Sequence, residues 1–221
     1  MTYPTLTIPS LTQMNGVDPR VKRTRQLLLQ AFVELLAEKG FRALSVQDIS
    51  ERATVNRATF YAHFTDKYAL MESFIREGFE QMLSSKLPAS APFTLDNLHL
   101  LIRTVFEYLV QVHDGQCRSS DHKQIEPLFE ATLQNELYRF LLNWLKQTPP
   151  PDSQCRAAID TAAVAMSWAI FGAGLQWSRG PRTLSAEEMA CQVAAVLTGG
   201  LPEAVKVPFL EQQKQNGRMT H

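Results

Sequence analysis

Apolar residues recur every three to four positions along most of the chain, the period of helices with one buried side. Leu28, Ala31, Phe32, Leu35 and Leu36 mark one face of a helix from about Pro19 that ends at Gly40, where glycine supplies a left-handed C-cap. Ser45 to Asp48 has the form of a capping box, opening a short helix through Ala53 with Val46, Ile49 and Ala53 facing inward. Asn56 can cap a third helix, in which Phe60 and Phe64 are four apart and share a buried face. Asp66 can cap a longer fourth helix with Leu70, Phe74, Ile75 and Met82, running to about Lys86 before Pro88.

Helical patterning continues through the second half. Leu95, Leu98, Ile102, Val105, Phe106 and Leu109 make a stripe that stops at Asp114-Gly115. Leu133, Leu137, Phe140, Leu141 and Trp144 make another, expected to begin near Pro127 and to end at the prolines 149–151. A segment from Cys155 to Trp177 is rich in alanine and glycine, residues that let helix axes approach closely. A last helix opens at Ser185 with a second capping box closed by Glu188, carries Met189, Val193 and Val196, and ends at Gly199-Gly200. No strand pattern or repeat competes, so the expected fold class is all-α. The expected division is a mobile arm over 1–18, a helix-turn-helix head over 19–86, a helical regulatory and dimerisation body over 87–200 and a tail over 201–221.

Composition changes this picture little: 45% hydrophobic residues suit a packed core, and 22 basic residues balance 22 acidic ones. The distribution says more, because the stretch from Arg20 to Lys67 has a basic surplus, as a phosphate-binding surface needs. Cys117, Cys155 and Cys191 are odd in number and far apart, which fits free thiols in a reducing cytosol. No apolar run is expected to reach the ~20 residues of a bilayer span, and the start lacks a signal-peptide pattern, so a cytoplasmic protein without a membrane partner is expected.

Two short helices separated by Thr54, Val55 and Asn56 have helix-turn-helix geometry, whose second helix enters the major groove. With Phe60 and Phe64 buried, Arg57, Thr59, Tyr61 and His63 turn outward, a face suited to DNA. The stretch from about Val21 to Leu83 resembles the DNA-binding domain of the TetR family of bacterial repressors. The resemblance rests on Ser45-Val46-Gln47-Asp48-Ile49, on the run from Asn56 to Phe64, and on Asp66-Lys67 followed by Leu70. It implies that Arg57, Ala58 and Thr59 face base edges and that Tyr61, His63 and Lys67 touch phosphates. Arg57 is suited to a bidentate guanine contact, Thr59 to a thymine methyl, and Tyr61 and His63 to donating to backbone oxygens. Ser45, at a helix N-terminus with an amide to spare, is a further phosphate candidate. Lys22, Arg23 and Arg25 add attraction from the leading edge. The family usually has glycine where Thr54 stands; a β-branched residue suits positive φ poorly, so a tighter or differently shaped turn is expected.

The resemblance further implies a homodimer formed by the last two helices, here Cys155 to Gly180 and Ser185 to Leu197, bound to a double-stranded operator and released by a small-molecule effector. The helix from Asp66 would be the lever. Candidate effector-pocket residues are Phe106, Trp144, Trp168, Phe171 and Trp177, with His99, Tyr108 or His113 as polar anchors; aromatics at helical spacing are as readily core. His113, Cys117 and His122 lie in a loop but match no strong zinc pattern, so neither a metal nor a cofactor is expected. An enzyme is disfavoured by the absence of a phosphate-cradling loop, a nucleophile elbow or paired carboxylates placed with a histidine, leaving only Cys117 near His113. A helical interaction module without DNA binding is the other alternative.

Overall fold

The computed structural model describes residues 18–88, 90–116, 122–147 and 153–199; the arm, the tail, Cys117 and prolines 149–151 lie outside them, as does the side chain of His122. The described residues form eight helices and no strand: α1 (Pro19–Ala43), α2 (Val46–Arg52), α3 (Arg57–His63), α4 (Lys67–Lys86), α5 (Leu95–Gln116), α6 (His122–Lys146), α7 (Ser153–Arg179) and α8 (Ala186–Gly199). The fold is all-α, as the periodicity implies.

Local chemistry sets most boundaries. Ser45 and Asp48 satisfy each other's backbone amides in a complete capping box. The Asn56 side chain accepts from the Ala58 amide at 2.9 Å, and Asp66 Oδ1 accepts from the Tyr68 and Ala69 amides at 2.8 Å. Ser185 and Glu188 repeat the reciprocal arrangement ahead of α8. The expected inward residues of α1, Leu28, Ala31, Phe32, Leu35 and Leu36, are buried.

Three local expectations need correction. Gly40 breaks α1, but its φ of 74° and ψ of 167° lie in the extended region open essentially to glycine, not in a left-handed helical cap, and a further turn follows through Ala43. α6 starts at His122 with Pro127 inside it. This is tolerated because proline's φ is already helical and, so near the N-terminus, its missing N–H costs a single bond. Residues 158–179 are long and apolar enough, by length and composition, to cross a membrane, so a run of that length does exist.

The helices α1, α2 and α3 pack in sequence around Phe32, Phe41 and Phe60, while α4 runs from beside α3 to lie against α5 and α6. α6 packs on α7, and α5 packs on both α7 and α8. At Gly174 a Cβ would come within 2.7 Å of the Phe106 ring and 2.8 Å of Leu109, so here glycine is what lets α7 press against α5.

Candidate nucleic-acid interface

α3 rests on Phe60 and Phe64, both buried; their rings lie 5.8 Å apart, and Phe60 meets the edge of Tyr61. This anchoring leaves Arg57, Ala58, Tyr61 and Ala62 exposed, with Thr59 and His63 half-buried. Tyr61 keeps 50% of its surface, unusual for an aromatic ring and consistent with a face that awaits a partner. Burial, reinforced by the nearby charge of Arg25, holds His63 below its ordinary pKa. Near pH 7 its imidazole is therefore a neutral hydrogen-bond donor rather than a cation.

The turn before α3 is a Schellman motif: the Val55 amide donates to the Ser50 carbonyl at 2.9 Å and the Thr54 amide to the Glu51 carbonyl at 3.0 Å. Thr54 occupies the left-handed position with φ of 56°. The turn is not reshaped to suit threonine; two backbone hydrogen bonds hold the geometry and the side chain accepts the strain. Thr54→Gly is accordingly expected to stabilise the chain by about 0.5–1 kcal/mol after glycine's greater unfolded-state entropy is allowed for. That is a rise of roughly 2 °C in thermal midpoint, measurable by calorimetry.

Three residues expected at phosphates are engaged elsewhere. The Lys67 ammonium donates to the carbonyls of Leu44 at 2.8 Å, Phe41 at 3.0 Å and Arg42 at 3.4 Å, and lies 4.7 Å from the Phe41 ring centre. It closes the C-terminal end of α1 with a charge of the favourable sign. Arg25 lies over the Phe64 ring at 4.8 Å, donates from Nε to Glu77 at 3.0 Å and bonds Ser73, tying α1 to α4 and to the end of α3. The Ser45 amide and hydroxyl both donate to Asp48 Oδ2, at 2.8 and 2.6 Å, so the amide is already taken by a carboxylate. Lys39, 2.7 Å from Asp48, and these serine bonds hold that carboxyl down at about 2. Arg52 likewise bridges Glu38 and Glu34. Apart from Lys39 and Arg52, the exposed share of the basic surplus therefore sits on Arg20, Arg23, Arg42 and Arg57, with Lys22 half-buried.

Residues 28–82 match the family described as bacterial regulatory proteins of the tetR family. Over that stretch, about a quarter of the chain, it is similar to regulators of the TetR family. Among its relatives, the uncharacterised HTH-type regulator YdeS of Bacillus subtilis is 45% identical over 58 residues, covering 26% of this chain and 29% of YdeS. YxbF of the same organism is 35% identical over 77 residues, 34% of this chain but only 20% of YxbF. The chain thus spans less than a third of the length of either. The repressor KstR2 of Mycolicibacterium smegmatis is 25% identical over 194 residues, 81% of this chain and 91% of that protein. A structure of the regulator FadR from Bacillus subtilis in complex with stearoyl-CoA aligns with a TM-score of 0.47 at 19% identity, covering 80% of this chain and 98% of that one.

The residues expected to form one effector pocket are dispersed. Phe106 stacks on Trp177 at 5.6 Å, and the Trp177 indole donates to the Leu184 carbonyl at 3.0 Å. Trp144 packs on Phe93 and Phe140 and donates to the Ala91 carbonyl at 2.7 Å. Tyr108 and Phe171 are buried in the core, and burial pushes the Tyr108 hydroxyl well above its ordinary pKa. His113 borders a hollow of about 20 Å³ beside Glu126 and Arg179, too small for an organic ligand. His99 lies at the seam of α5 and α8, and Trp168 is 58% exposed. The roomier cavity is a cleft of about 610 Å³ between α4 and α6, walled by Phe79, Leu83, Leu87 and Phe140 with Glu80 and Glu136 among them. Burial, with the Glu136 charge behind it, raises the Glu80 carboxyl above its ordinary value. Glu136 is paired with Arg76 at 3.0 Å. The sequence does hold a signal for this cleft: Glu136 interrupts the apolar stripe of α6 between Leu133 and Leu137.

Proposed function

We propose that the chain is a homodimeric, cytoplasmic transcriptional regulator, a repressor released from its operator by a small molecule. Residues 19–86 would read DNA and residues 87–200 would dimerise and sense the effector. The observation behind it is the face of α3, where Arg57, Ala58 and Tyr61 stand exposed on a helix pinned from behind by Phe60 and Phe64. Arg57, Ala58 and Thr59 are assigned to base edges, Tyr61 and His63 to phosphates, with Arg20, Lys22 and Arg23 supplying counter-charge. Lys67, Arg25 and Ser45 are positioning residues in this assignment.

α4 couples the two functions. Near its start Ser73, Phe74 and Glu77 meet α1 through Arg25 and Phe32, and further on Phe79, Glu80, Leu83 and Ser84 line the cleft. A ligand that fits the cleft better when α4 is displaced shifts the head spacing away from the operator, by no more than its differential affinity allows. Apolar walls with two acids favour an apolar effector bearing a hydrogen-bond donor or a basic group.

The dimer is assigned to α7 and α8. Thr161, Ala165, Trp168 and Gly172 follow the four-three-four spacing of a helix seam and are all exposed, and α8 exposes Ala195 and Val196. Apolar side chains turned outward on a helix of membrane-spanning composition suit burial against a second copy.

Arg57→Ala is expected to cost about 1–3 kcal/mol on the selected operator and much less on random duplex, whereas Tyr61→Phe weakens both alike. Fluorescence anisotropy on fragments selected from genomic DNA separates them. Equal losses for Arg57→Ala on operator and random DNA would contradict base reading.

A further inference from the structure

Away from the α3 face and the α4–α6 cleft, the His99, Glu187 and Cys191 side chains converge from two helices. His99 belongs to α5; Glu187 stands in the first turn of α8 and Cys191 one turn later on the same side, the i, i+4 spacing that points two side chains at one spot. One ligand atom from each lies within 4.8 Å of the others. His99 Nε2 is 3.3 Å from Cys191 Sγ and 3.5 Å from Glu187 Oε1. A tetrahedral zinc ion, bound at about 2.0–2.3 Å, sets its nitrogen, sulfur and oxygen ligands roughly 3.4–3.6 Å apart, so these two separations need only small adjustments to admit one.

We propose that His99, Glu187 and Cys191 form a binding site for a thiophilic divalent cation of the zinc type. An imidazole, a thiol and a carboxylate are the donor set borderline-soft cations select, whereas magnesium or calcium would be poorly served by sulfur. Cys191 is a free thiol; binding deprotonates it, the sulfur pair goes to the metal and the proton to water. The second Glu187 oxygen is already oriented, since Arg103 donates to Oε2 at 2.9 Å and leaves Oε1 toward His99. Arg103 in turn pairs with Glu107 at 3.6 Å, which tempers its charge beside the metal. In a single copy Glu187 and Cys191 are exposed, so a fourth position is left for water or for a group from a second copy. The ion would clamp α8 to α5 and so brace the helix that the dimer uses.

The test uses the full chain, reduced and stripped with a chelator, titrated with Co²⁺ and then Zn²⁺. The expected result is a thiolate-to-cobalt charge-transfer band saturating at one ion per chain and bleached by Zn²⁺. Cys191→Ser and His99→Ala abolish the band with helical circular dichroism intact, while Cys117→Ser and Cys155→Ser retain it. Zn²⁺ also raises the thermal midpoint of the parent chain and leaves that of Cys191→Ser unmoved. No band in the parent chain, or a band that survives Cys191→Ser, overturns the site. DNA affinity is not read, so the outcome is separate from that of the regulator assignment.

Discussion

Trp168→Glu is expected to convert the chain from a dimer to a monomer at micromolar concentration. Trp168 is the largest of the exposed apolar side chains on α7; it meets the Phe171 ring edge-on at 6.4 Å, yet 58% of it stays in water on a helix packed through Ala163, Ile170 and Phe171. In an isologous interface each substitution acts twice. A buried tryptophan anchor is worth about 3 kcal/mol on truncation, so two raise the dissociation constant by roughly four decades, before the cost of facing two carboxylates together. Light scattering or sedimentation reads the mass. The same variant is expected to lose operator binding while keeping its helical signal, because two heads must reach half-sites ~34 Å apart and one head alone holds half the contacts. A variant that stays a stable dimer would place the interface elsewhere.

The head was legible in sequence because its rules are local. Each cap joins residues two or three apart, and the stripe from Leu28 to Leu36 needs no knowledge of what lies opposite. The side chains whose engagement the sequence hides are those whose partners come from far along the chain: Arg25 meets Glu77 52 residues away, and Lys67 meets Leu44 23 residues away. From sequence alone a cation on a head surface looks like a phosphate contact. Only the fold reveals a carboxylate or a helix end already holding it. Thr54 is the opposite case, where a residue's own preference yields to the two hydrogen bonds that fix the turn.

The body was legible as helices but not as a site, and α7 shows why. Its buried face runs through Ala163, Ser167, Ile170, Phe171, Gly174 and Ser178, mostly small, while Val164 and Trp168 point out. When the bulkier residues fall on both sides, periodicity fixes the helix and leaves its orientation open. Spacing therefore groups Trp168 with Phe171, although three positions separate an exposed ring from a buried one. The α4–α6 cleft escapes for a related reason: its polar members, Glu80 and Glu136, gain meaning only once their helices are side by side.

Lys67→Met separates the structural use of this residue from the phosphate contact that its place in the family motif implies. Methionine keeps the length and apolar stem but removes the ammonium that caps the Phe41, Arg42 and Leu44 carbonyls. Charge-assisted bonds at a partly buried site and acceptors left without that donor together cost about 2–4 kcal/mol. Urea denaturation should show that loss as a lower midpoint at unchanged slope. The decisive measurement is salt dependence of DNA binding at a temperature where the variant remains folded. A phosphate contact contributes about 0.9 to the slope of log affinity against log salt, twice that in a dimer. Lys67→Met is expected to keep the parent slope, whereas Arg23→Met on the exposed edge of α1 should reduce it. A shallower slope with unchanged stability for Lys67→Met would return the residue to the DNA. It would also mean that the ammonium swings off the end of α1 when a phosphate arrives, at an energetic cost the complex has to recover.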